Sequence, residues 1–128
     1  MEKIRMPHPI AELDGDEMTH VLWGKIKDEL IFPYVALNTE YYDLSLPNRD
    51  KTEDAVTREA AEAIKRLKIG VKCATITPNF QRQEEYGLKK LWKSPNATIR
   101  AALDVTVFRA PILISRVKPV VSCWANPA

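Results

Sequence analysis

Between Lys93 and Arg100 the chain reads Lys-Ser-Pro-Asn-Ala-Thr-Ile-Arg, and Thr-Val-Phe-Arg follows at 106–109. A hydroxyl, an amide and two guanidinium groups are set around one predicted helix start, which is chemistry for holding a small polycarboxylate. Ser94 suits the N-cap, and Pro95 the first helical position, where its missing N–H costs nothing. A helix begun this way turns free backbone N–H groups and the positive end of its dipole toward whatever lies in front. Asn96 and Arg100, four residues apart, share a helical face. Arg109 arrives on the next element and can close on an anion from another side. Each fork of a guanidinium on a carboxylate is worth about 1.5–3 kcal/mol when shielded from water.

The elements that must position these groups follow from periodicity and punctuation. Pro9 to Leu13 reads as a short strand ending at an Asp14-Gly15 turn. Asp16 then caps a helix whose Met18, Leu22, Ile26 and Leu30 recur every four residues, with Val21 and Trp23 widening the stripe. Pro33 stops it. Val35 to Leu44 suits a strand, and Pro47 to Asp50 a loop. A helix started by Asp50 with Glu53, or by Thr52, buries Val56, Ala60, Ile64 and Leu67. It leaves Arg58, Glu62, Lys65 and Arg66 wet, and Gly70 ends it. Val71 to Thr77 is a buried strand, 84–92 and 96–103 are helices, and 105–114 and 120–124 are strands. This alternation predicts an α/β layered domain. Thr75 and Thr77 then end a strand, where ligands of α/β folds collect.

Composition narrows the function. The 128 residues form one domain at most, and nineteen basic against seventeen acidic side chains give a net charge of only +2, too balanced to advertise nucleic acid or a membrane surface. Lys65, Arg66, Lys68, Lys89, Lys90 and Lys93 are interleaved with acids and lack an aromatic platform. Cys73 and Cys123 have neither metal-ligand spacing nor the density of a disulfide scaffold, and read as free thiols of a reducing compartment. Met1 to Pro7 has no secretory signal, and no apolar run reaches membrane-spanning length. The cytoplasm is the expected location. Asp14, Asp16 and Glu17 read as helix-start acids rather than metal ligands. A glycine-rich G-x-G-x-x-G turn is absent, so a Rossmann dinucleotide site is not expected.

The Lys93–Arg109 stretch, with Gly-Val-Lys-Cys-Ala-Thr-Ile-Thr-Pro at 70–78 and Glu-Leu-Asp-Gly-Asp-Glu-Met-Thr at 12–19, resembles the amino-terminal portion of homodimeric NADP-dependent isocitrate dehydrogenases. The likeness runs from about Pro9 to Trp124. It implies a partial, truncated isocitrate/isopropylmalate dehydrogenase-like layered fold, with residues 1–128 as a single incomplete α/β domain. Such enzymes belong to the tricarboxylic acid cycle and oxidise isocitrate with reduction of NADP, then release carbon dioxide to leave 2-oxoglutarate. A magnesium or manganese ion assists as a Lewis acid. The family does not use a G-x-G-x-x-G turn.

Carried over by matching positions, the substrate would be held by Thr77, Ser94, Asn96, Ala97, Arg100 and Arg109. Ala97, where many relatives have glycine, would offer its backbone N–H. The cofactor would meet Lys72, Thr75, Ile76, Thr77, Arg82 and Asn96. The resemblance puts the metal-binding aspartates and the catalytic tyrosine and lysine past Ala128, so no catalytic or metal-ligating residue is expected within the chain. Asp104-Val105 stands where relatives carry glycine, Ala110 replaces a charged residue, and Asn79-Phe80 replaces an acidic pair. These departures leave an alternative: a non-catalytic remnant, or a chain that docks on intact subunits. Isopropylmalate chemistry fits less well, because a serine and paired arginines suit a third carboxylate rather than an alkyl group.

Overall fold

A computed structural model describes residues 2–105, and at its centre lies a strand buried along its whole length, β2 (Ile10–Asp14). Flanking it are β1 (Ile4–Arg5), β3 (Val35–Ala36), β4 (Thr39–Asp43) and β5 (Gly70–Lys72). β2 pairs in parallel with β4 on one side and β5 on the other, while β1 and β3 form a separate parallel pair. The helices are α1 (Glu17–Ile26), extended by a π-helical turn at Lys27–Ile31, then α2 (Leu46–Lys51), α3 (Ala55–Leu67), α4 (Phe80–Tyr86) and α5 (Pro95–Leu103).

Alternation along β2 explains the layering, because successive side chains leave a strand on opposite faces. Ala11 and Leu13 enter a core with Leu44, Val56, Ala60, Ala61, Ala63 and Ile99, which joins the sheet to α3 and α5. Glu12 and Asp14 occupy the other face and meet α1. Trp23 Nε1 donates to the Glu12 carboxylate at 2.8 Å, and Lys27 donates to the same oxygen. His20 Nδ1 lies against Asp14, which also accepts from Tyr41 Oη at 2.8 Å. Helices therefore cover both faces of the β4-β2-β5 sheet, as the predicted α/β class requires. The chain passes from β2 to β4 on one side and then crosses to β5 on the other, which makes the carboxyl ends of β2 and β5 a switch point.

Several boundaries differ from those read in the sequence. The single strand expected over 35–44 is divided between two sheets. The expected loop at 47–50 is helix α2, with Ser45 at its N-cap and Pro47 in its first turn. α3 begins after Asp54, whose φ is +62°, rather than at Asp50 or Thr52. It ends at Lys68 (φ +67°), and Gly70 instead starts β5. That strand stops at Lys72: Cys73 N–H still reaches the Leu13 carbonyl and the Ala74 carbonyl accepts from Asp16 N–H, but both backbone groups of Ile76 turn to side-chain partners. The helix expected at 84–92 lies at Phe80–Tyr86, where the Asn79 side chain accepts from Arg82 N–H and Gly87 ends it at φ +59°. The apolar stripe of α1 is exposed, with Met18 at 71 % and Leu30 at 66 %. At the Asp104-Val105 step, where relatives carry glycine, the left-handed position falls on Asp104 (φ +51°), a residue that tolerates it. The strands expected at 105–114 and 120–124 fall, apart from Val105, outside the described residues.

Gly15 is required by crowding. A Cβ there would lie 2.0 Å from the Ala74 carbonyl oxygen and 2.7 Å from Thr19 Oγ1, so β2 and the loop after β5 come together only without one. Gly15→Ala is expected to lower stability by about 2–3 kcal/mol, since the backbone contact cannot relax as a side chain would. Urea denaturation followed by tryptophan fluorescence measures it.

Candidate functional site

The loop after β5 lacks regular structure and is held from two sides. Asp16 occupies the N-cap position of α1, as expected, but its side chain makes no capping bond. Its carboxylate instead accepts the backbone N–H of Leu46 at 2.6 Å and of Ile76 at 2.8 Å. On the other side is Arg49, fully buried on α2. Its Nε donates to Asp54 Oδ1 at 2.8 Å, its Nη2 to the Lys93 carbonyl at 2.7 Å and its Nη1 to the Ile76 carbonyl at 3.3 Å. One guanidinium therefore touches both the 75–77 loop and the residue just before Ser94. Neighbouring Asp50 accepts from Lys89 N–H at 2.9 Å and Trp92 Nε1 at 2.7 Å, fixing the approach to Lys93. Of the helix-start acids, only Glu17 lies within α1; it accepts from Tyr86 Oη at 2.7 Å and from Arg82.

These links gather several of the expected site residues. Lys72 Nζ donates to Thr75 Oγ1 at 2.9 Å and to the Cys73 carbonyl at 2.8 Å. Thr75 and Ile76 line a cavity of about 170 Å³ with Asp16, Glu17 and Thr19. Thr77 is exposed beside them. Arg82, on α4, pairs with Glu17 of that cavity's lining at 3.2 Å and with Glu85 at 3.3 Å. At the start of α5, Ser94 occupies the N-cap position, but its hydroxyl makes no capping bond, contrary to the simplest expectation for this residue. Asn96, Ala97 and Arg100 are exposed. Arg109 falls outside the described residues.

Burial dominates the electrostatics of Lys72. The ammonium of Lys72 is pushed down to about 8, chiefly by burial, with the charges of Arg49 and Arg100 adding to it against the opposing fields of Cys73 and Asp16. Burial also raises the Cys73 thiol. Among the described residues no three His, Cys, Asp or Glu side chains are placed to hold a metal ion. The donors present are hydroxyls, amides, an ammonium and guanidinium groups, a set that fits anions.

Arg49 and Asp16 are the residues that sequence reasoning missed in this role. Their signal was faint: a helix-type Ser-x-Pro opening just before Arg49, and an acid placed immediately after a glycine turn.

Residues 5–125 match the isocitrate/isopropylmalate dehydrogenase family, and the chain belongs to that family. Over 98 % of its length it is 54 % identical to the cytosolic NADP isocitrate dehydrogenase of Arabidopsis thaliana and 54 % to the mitochondrial NADP enzyme of Saccharomyces cerevisiae. It is 55 % identical to NADP isocitrate dehydrogenase 1 of Mycobacterium bovis. It spans 31 %, 29 % and 31 % of these relatives, respectively, less than a third of each. Similar relatives are named as peroxisomal and chloroplastic, so family membership does not fix a compartment. Among the described residues no helix is long and apolar enough to cross a membrane.

Lys72 supplies a pH test. Its folded value, about 8, lies below the ordinary 10.5, so between those limits the unfolded chain holds a proton that the folded chain lacks. Stability therefore gains from this residue as pH rises from about 8 to 10.5, and a charged Lys72 is a burden below that window. In urea denaturation at pH 7, 8, 9 and 10, Lys72→Met should exceed wild type most at pH 7 and lose that advantage toward pH 10. A difference between the two that does not change with pH would contradict this assignment.

Proposed function

We propose that this chain forms the substrate-gripping part of an NADP-dependent isocitrate dehydrogenase, acting in the cytoplasm like the Arabidopsis relative and within a homodimer. One observation carries the reading: buried Arg49 binds the Ile76 and Lys93 carbonyls at once, so the two segments with the family's substrate residues sit against each other. In this reading Thr77, Ser94, Asn96, Arg100, the Ala97 N–H and Arg109 take the three carboxylates and hydroxyl of isocitrate. The identity to enzymes named for isocitrate and NADP supports it.

NADP, when bound, would supply the hydride acceptor. Lys72, Thr75, Ile76, Thr77 and Asn96 would hold its nicotinamide side, and Arg82 would exchange Glu17 and Glu85 for phosphate. The magnesium or manganese ion of the reaction finds no ligand cradle among the described residues. What these side chains do is bind and orient. Lys72 and Arg100 bring positive charge to the anion, while Ser94 and Asn96 fix its direction. Holding a reactant in one attack geometry is a large part of catalysis, but proton transfer needs further groups.

Titration of the chain with isocitrate, read by calorimetry and by amide NMR shifts at Thr77 and 94–100, tests the proposal. Arg100→Gln should weaken binding by about tenfold or more, the value of one charge-assisted fork. A related diacid with an alkyl group in place of the third carboxylate should bind more weakly than isocitrate. The chain alone should produce no NADPH from isocitrate and magnesium. Unchanged affinity in Arg100→Gln, or preference for the alkyl diacid, would remove the reading.

A further inference from the structure

Arg49 is fully buried, and burying a cation is costly unless it is paired and hydrogen-bonded. One carboxylate oxygen, on Asp54, would meet that need most directly. Asp54 does take Nε, at 2.8 Å, but the other two arms of the guanidinium go to carbonyls of separate segments, Ile76 and Lys93. Neither segment has a ladder at those points: 73–79 is irregular, and 91–94 leads into α5 without regular structure. The opposite side of Ile76 is held by Asp16. Every buried side-chain nitrogen and oxygen among the described residues has a partner, so this corner carries no slack polar group that could replace Arg49.

We propose that Arg49 is a positioning residue that couples the Thr75–Thr77 loop to the start of α5, so that the two halves of the anion site open and close as one unit. A planar fork with fixed angles can serve three acceptors on different segments; a lysine ammonium on a flexible stem cannot hold the same geometry. The proposal rests on reading those segments as one site, yet it concerns their mechanical linkage, which needs no ligand to observe.

The test begins on the wild-type chain. Native-state hydrogen exchange of the Ile76 amide, bonded to Asp16, and the Thr98 amide, bonded to the Ser94 carbonyl, is followed against low urea. Coupling predicts one shared opening reaction with the same urea dependence; two separate openings would overturn the proposal. In Arg49→Lys both amides should then exchange about tenfold faster or more, while β2 amides such as Leu13 change less. Isocitrate affinity should fall by a similar factor. A control variant of comparable stability loss away from both segments, Leu67→Ala, should keep its affinity and its shared opening. If Arg49→Lys does not fold, the wild-type exchange still decides. Joint opening in a chain that fails to bind isocitrate would leave the linkage standing and overturn only the proposed ligand.

Discussion

A buried positive charge that must be satisfied by three separated acceptors is the constraint on which this corner of the molecule depends. Arg49 has no access to water, so each arm of its guanidinium must find an oxygen within the protein, and those oxygens belong to the α2–α3 turn, the loop after β5 and the approach to α5. Removing one partner of such a pair leaves the other charge buried and uncompensated, which is far more costly than the pair's net worth. Asp54 in turn accepts from Thr57 Oγ1 at 2.6 Å. The ion pair is therefore tied into α3, whose Val56 and Ala60 anchor the apolar core. The rigidity of the core reaches the site through that chain of contacts.

The loop at 73–77 shows why charged side chains do this work. At the end of β5 the ladder has stopped, yet the backbone groups of Ile76 still need partners. An anion takes its N–H and a cation takes its carbonyl. The peptide frame is fixed at both ends without a strand, while Thr75 Oγ1 accepts from Lys72 Nζ and Thr77 stays exposed. A strand continued to Thr77 would have committed that backbone to the sheet. Stopping it at Lys72 puts the hydroxyls outside the carboxyl ends of β2 and β5, where the topology opens a crevice.

Much of this was legible in the residues. α3 followed from apolar spacing and α5 from its Ser94-Pro95 start, and the turn chemistry of Asp14-Gly15 placed the end of β2. What the sequence hid was the use of polar residues as internal fasteners. Asn48-Arg49-Asp50 looks like a solvated loop because its composition is polar, but its charges point inward to backbone groups contributed by residues far along the chain. Asp16 looks like a cap because it precedes a helix, whereas its acceptor oxygens serve Leu46 and Ile76. Such roles depend on three-dimensional neighbours, which no local periodicity encodes. The helix expected at 84–92 likewise gives way to α4, which the Asn79 cap and the Gly87 stop set earlier in the chain.

The attachment of α1 carries this argument one step further. A stripe repeating every four residues ordinarily marks the face a helix buries, yet here that stripe stays in solvent and the helix is held by Trp23, Lys27 and His20 against Glu12 and Asp14. Burial of Glu12 alone would raise its carboxyl, but the bonds from Lys27, Thr39 and Trp23 outweigh it, and the group titrates below its ordinary value. Asp14 follows the same logic, with burial opposed by Tyr41, Gly15 and His20. Both carboxylates therefore stabilise the folded chain above the ordinary carboxylate range and lose that contribution as pH falls through their lowered values. A helix fastened by charge on one face keeps its apolar face free, so in this fold the acidic alternation of β2 decides which side of α1 the sheet receives.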